Sequence, residues 1–148
     1  MSDFSRILAV DPGDKRLGIA ISDLTGTIAS PVCVLNHVSR EENALAILTI
    51  AEEKEAKLIV IGQALNWDGD LSFQGRKSTR LAEKIRALGS IPVILWNEYG
   101  STNAARNARQ MMNVSRKKRA GHLDDLAATV ILQTYLDAKS AQSNLEES

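Results

Sequence analysis

The chain has 148 residues, 44% of them hydrophobic, and 18 basic and 18 acidic side chains that cancel to a net charge of zero. That is enough apolar material for one globular domain with its own core, which excludes a tail or short peptide, while the null net charge decides nothing about an anionic partner. No apolar run approaches the roughly 18 residues of a membrane span, the opening MSDFSR lacks a signal layout, and the single cysteine, Cys33, excludes an intrachain disulfide. A soluble, cytoplasmic protein without membrane contact is expected, with Cys33 in PVCVL a small buried hydrophobe.

A first strand is predicted near residues 5 to 11, where the apolar run Ile7 to Val10 meets the Pro12-Gly13 turn signal. A second follows near 17 to 22. Leu17, Ile19 and Ile21 alternate there with Gly18, Ala20 and Ser22, one face greasy and the other small, as in a hairpin packed on a core. A third strand is expected near 27 to 35. A helix then runs from about Arg40 to Glu55, with Ala44, Ile47, Leu48 and Ala51 at core spacing and Ser39 and Glu42 forming a capping box. Leu58 to Ile61 reads as a short buried strand, and a polar loop with Asn66, Asp68 and Gly69 leads to a helix from about Arg76 to Leu88. Pro92 to Trp96 is a further strand, followed by helices at about Thr102 to Met112 and His122 to Leu136. Residues 1 to 138 form the expected domain. Residues 139 to 148, rich in Ala, Ser, Gln and Glu, are expected to be a disordered tail.

This order predicts an α/β protein with a ribonuclease H-like fold: a mixed five-stranded sheet, its antiparallel three-strand meander leading into crossovers, with helices on both faces. The first strand is then central, and the ends of strands one, four and five share a rim. Asp11 ends strand one, Glu98 ends strand five, and Asp124 and Asp125 fall in the first turn of the last helix, where carboxylates suit the helix dipole. Asp124 shares its helical face with Ala128 and Ile131. Asp125, sharing its face with Thr129 and Leu132, is expected to be the more peripheral.

Separated carboxylates at one rim suit hard divalent cations such as Mg2+ or Mn2+. A pair of such ions about 3.5 to 4 Å apart can activate water and stabilise the leaving oxygen of a phosphodiester. Each acid also has a plainer reading. Asp-Pro-Gly makes a turn by itself, Glu98 could be a surface residue, and Asp124 and Asp125 could be helix caps. Strand four would hold the backbones bearing Asp11 and Glu98 about 10 Å apart, so only inward-turned side chains could share a metal. Between Glu98 and Asp124 no acidic residue occurs, whereas Arg106, Arg109, Arg116, Lys117, Lys118 and Arg119 do, a one-signed stretch suited to a phosphate backbone or to a solvated loop.

Four blocks carry a resemblance over nearly the whole chain: DPGDKRLGIAISD, IGQALNWDG, WNEYGST, and SRKKR followed by HLDDLAATVILQTYLD. In this order and spacing they resemble the YqgF family, also called RuvX, of Holliday-junction-resolvase-like proteins now regarded as pre-16S rRNA nucleases. The resemblance implies a metal-dependent endonuclease, with Asp11, Glu98 and Asp124 as its acidic triad and Asp125 as a reserve metal ligand. Lys15, Arg16, Asn66 and Asp68 match the family's other rim positions. Arg116, Lys117, Lys118 and Arg119 match its substrate side. The implied partner is precursor rRNA, within ribosomal particles, or branched DNA for a junction resolvase, the protein being a monomer or weak homodimer. Asn97 and Tyr99 stand where the family has an acid and a cation, and Ala64 and Gly100 also depart from its pattern. Those departures motivate a third reading, a nucleic-acid binding module with weak or lost catalysis. A duplicated actin-like ATPase does not fit in 148 residues.

Overall fold

The computed structural model describes residues 5–13, 15–63, 73–97 and 123–147. Among them the chain forms strands β1 (Arg6–Pro12), β2 (Arg16–Ser22) and β3 (Ala29–Asn36), helix α1 (Arg40–Glu53), β4 (Ala56–Gln63), α2 (Phe73–Leu88), β5 (Val93–Asn97) and α3 (Leu123–Glu147). The described strands make one sheet in the order β3-β2-β1-β4-β5. β1 pairs antiparallel with β2 and parallel with β4, β2 pairs antiparallel with β3, and β4 pairs parallel with β5. The meander and central first strand expected from sequence are both present.

Alternation sorts side chains to the two faces of the sheet. Leu8 and Val10, Leu17 and Ile19, Ile59 and Ile61, and Val93 pack under α1 and α2 with Ala44, Ile47, Leu81 and Ile85. Ile7, Ala9, Ala20 and Val60 pack under α3 with Ala128, Ile131, Leu132 and Leu136. The small face of β2 thus lies beneath α3. Each buried leucine or isoleucine contributes roughly 1.5–3 kcal/mol.

Buried polar atoms are used to fasten edges. Ser22 Oγ accepts the Ile7 N–H at 2.8 Å and donates to the Asp23 carbonyl at 3.0 Å, with Ser22 itself buried. Ser22→Ala would leave the Ile7 amide unsatisfied, so unfolding in urea should show a loss of about 1–3 kcal/mol. Asp23 then organises the β2–β3 turn, accepting from the Thr25 hydroxyl and the Thr27 and Ile28 amides. Those hydrogen bonds, Thr25 first, hold its carboxyl below the ordinary value.

Several boundaries differ from the sequence expectation. α1 ends at Glu53 with Lys54 as its C-cap, because Glu55 adopts φ 59 and turns the chain directly into β4 at Ala56. α3 continues to Glu147, where a disordered tail was expected. Composition tests whether a segment can bury a core, and residues 137–141 are exposed, but Ala, Lys, Gln and Glu extend a helix readily with no Gly or Pro to stop it. Cys33 is half-buried rather than buried, since β3 is an edge strand of the described sheet. The register of β3 shifts by one residue between the Ile19–Cys33 and Ala20–Pro31 pairs, leaving Val32 as the extra residue of a bulge. The expected helix at 102 to 112 lies outside the described residues. No described helix is long and apolar enough to cross a membrane.

Candidate active site

The parallel strands β1, β4 and β5 end at one rim. Val10 is level with Ile61, Ile61 with Leu95, and Gly62 with Trp96. Asp11, one residue past Val10 and paired with Gly18 on the other side, therefore sits at the level of Gly62 and Trp96. It is half-buried. Ile7 and Ala9 face α3, and the alternation gives Asp11 that same face.

α3 is held close to this rim by the absence of a side chain. A Cβ on Gly62 would lie 2.6 Å from Ile131 Cδ1 and 3.4 Å from its Cγ1, so the helix rests on bare β4 backbone. Farther along, Trp96 Nε1 donates to Thr134 Oγ1 at 3.0 Å and its ring meets Tyr135 edge to face, with centroids 5.4 Å apart and planes at 83°. Desolvation by this packing raises the Tyr135 phenol above its usual pKa. Trp96 is thus a packing residue. Asp124 lies seven residues before Ile131, about 10 Å along the helix from this contact.

Asp124 and Asp125 occupy the first turn of α3, as expected, although their side chains lie outside the described residues. The expectation that Asp125 is the more peripheral does not follow from its stripe. Leu132 and Leu136, seven and eleven residues after Asp125, are 0% and 2% exposed, because α3 buries both this stripe and that of Ala128 and Ile131. Glu98, Asn66, Asp68, Arg116, Lys117, Lys118 and Arg119 lie outside the described residues. Lys15 and Arg16 are exposed on the β1–β2 turn beside Asp11. Their carbonyls fix that turn: Lys15 accepts from the His37 amide and Arg16 from the Gly13 amide, each at 2.9 Å. A Cβ on Gly13 would meet the Arg16 carbonyl oxygen at 2.5 Å, so the turn requires glycine.

Two further residues support the rim and were not singled out from sequence. Ser78 Oγ donates to the Gly62 carbonyl at 2.7 Å, and Gln63 Nε2 donates to Thr79 Oγ1 at 2.8 Å, tying the end of β4 to α2. Adjacent hydroxyl residues within an otherwise good helix were the available signal. Asp11 supplies the hard oxygen donors that magnesium or manganese accepts. Among the described residues no three of His, Cys, Asp or Glu gather as a metal cluster.

The family model described as RuvX, Holliday junction resolvase, matches residues 5–138. A protein of Thermoanaerobacter pseudethanolicus named "Putative pre-16S rRNA nuclease" is 41% identical over 135 residues, covering 90% of this chain and 97% of that one. A protein of Clostridioides difficile with the same name is 40% identical over 134 residues, covering 90% and 95%. Among solved structures, T. thermophilus RuvC in complex with Holliday junction substrate superposes with a TM-score of 0.62 at 14% identity, covering 93% of this chain and 96% of that one. The fowlpox virus Holliday junction resolvase gives 0.53 at 17% identity, covering 90% and 99%. At such identities these structures speak to the fold, which is ribonuclease H-like.

Proposed function

Because this chain belongs to the RuvX family, we propose that it is an endonuclease hydrolysing phosphodiester bonds in structured RNA, with the 5′ end of the 16S rRNA precursor as its target. The observation that carries the reading is Asp11, at the end of the central strand and on the face covered by α3, whose first turn holds Asp124 and Asp125. Glu98 directly follows Asn97, the last residue of β5, in the sequence.

Asp11, Glu98 and Asp124 would hold the divalent metal, Mg2+ or Mn2+, with Asp125 in reserve. The bound ion would supply an activated water and charge stabilisation at the phosphorus. Lys15 and Arg16 bring positive charge to the adjacent turn and hold substrate phosphates beside the scissile bond. Arg116, Lys117, Lys118 and Arg119 would grip the flanking strand, with Asn66 and Asp68 as further substrate-binding residues. The precursor would be met in the cytoplasm, within ribosomal particles.

A second reading, cleavage of four-way DNA, is favoured by the description of the family model and by the likeness to RuvC. It needs two active sites and hence a dimer. Labelled precursor rRNA and a four-way DNA junction, each incubated with the protein and magnesium or manganese, separate the two. Metal-dependent cutting of the RNA alone by a monomer supports the first reading. Cutting of the junction alone by a dimer replaces it with the second, and binding without cutting of either removes both.

A further inference from the structure

On the sheet face opposite Asp11, the same rim carries a cleft of about 260 Å³. Pro12 and Leu17 of the hairpin and Leu81 of α2 form its apolar wall, and the ionisable side chains that line it are His37, Arg40 and Lys77. No carboxylate is among its described lining residues. Of the acids in the first turn of α1, Glu41 reaches instead to Lys84 at 4.0 Å.

The hydrogen bonds fix how this lining is presented. Asn43, 5% exposed, accepts the Val38 N–H through Oδ1 at 3.1 Å. Its Nδ2 must then be the atom 2.8 Å from His37 Nδ1, so the ring nitrogen accepts and Nε2 carries the ring's proton. Imidazole N–H, guanidinium and ammonium are all donors. A cleft whose described charged side chains are cationic, with an apolar wall beside them, suits a phosphate attached to a sugar or base.

We propose that this cleft is an accessory subsite holding one backbone phosphate of the nucleic-acid strand that is cut at Asp11. The proposal rests on the endonuclease reading above. Pro12 follows Asp11 directly, so the two sites lie on opposite faces of one strand end, separated by the β1–β2 turn. A strand crossing that turn meets the exposed Lys15 and Arg16 on its way.

The test uses the full-length protein without divalent metal, so that binding is read without turnover. The His37 ring and the Leu17 and Leu81 methyls are followed by NMR as a short single-stranded oligoribonucleotide, AMP or inorganic phosphate is added. The oligonucleotide should shift these signals at concentrations where AMP and phosphate do not. Arg40→Glu should abolish the shifts, weaken oligonucleotide binding about tenfold and reduce the salt slope by about one. An acid at the first position of α1 suits the helix dipole, so the fold is retained, and Arg40→Gln should show a smaller loss in the same direction. Equal response to AMP or phosphate would overturn the strand assignment in favour of a free phosphorylated ligand. No response to any probe, or unchanged affinity in Arg40→Glu, would overturn the subsite. Neither result bears on whether Asp11 is needed for cutting, which is read separately with metal present.

Discussion

Asp11→Asn should lower the rate of metal-dependent RNA cleavage by about 10³-fold while leaving RNA affinity without metal nearly unchanged. The size follows from the several kcal/mol of charge stabilisation that a divalent ion supplies to a phosphoryl transition state, each 1.36 kcal/mol being a factor of ten. Asparagine keeps the shape of the side chain at the end of β1 and removes the charge a metal requires. Single-turnover cleavage of labelled precursor rRNA across a magnesium series checks it. Partial recovery at high metal would indicate weakened metal binding. A variant that cuts at the wild-type rate throughout the series would remove Asp11 from the metal site, and with it the reason for placing chemistry at this rim.

Gly62→Val should cost about 3 kcal/mol of stability, near the upper end of what overpacking a core usually costs. The first added carbon already falls 2.6 Å from Ile131 Cδ1, and the branched remainder has nowhere to go except into α3. Lifting that helix also moves the turn carrying Asp124 and Asp125, so cleavage should fall even at temperatures where the variant remains folded. Ser22→Ala, destabilised at the far end of the sheet, should not share this loss of activity. Ile131→Ala in the Gly62→Val background should recover part of both losses, with a coupling of roughly 0.5–3 kcal/mol in a double-mutant cycle. Urea unfolding of the four proteins, with cleavage measured on each, decides this. Strict additivity would mean that the two residues do not share the contact.

What could be read beforehand depended on whether its cause was local. The β2 alternation from Leu17 to Ser22 assigns faces by itself, because side chains in a strand repeat every two residues. Ser39 was legible as the α1 cap, and its Oγ accepts the Glu42 amide at 3.1 Å. The position of Asp11 at the end of β1 was legible because a carboxylate between an apolar run and a glycine turn has few places to be. The contact between Gly62 and Ile131 was not, since a strand-ending glycine carries no sign of which distant side chain will fill its space. The cleft was less legible still: His37, Arg40 and Lys77 come from a loop, a helix start and a second helix, and no spacing in the chain announces that they share a wall. The extent of α3 was misjudged for a different reason. Helix propensity and core burial are separate properties, and residues 137–141 have the first with little of the second.

β3 has a neighbour on one side of the described sheet, and its burial pattern leaves much of it open to solvent. A strand so placed is a template on which another chain can add itself, the first step toward aggregation. Two features already noted work against that. Pro31 deprives the strand of a backbone donor, and the extra residue at Val32 breaks the even spacing that an incoming strand would have to match. The side of the molecule farthest from the β5 end of the rim is thereby a poor template for an incoming strand even while it remains exposed.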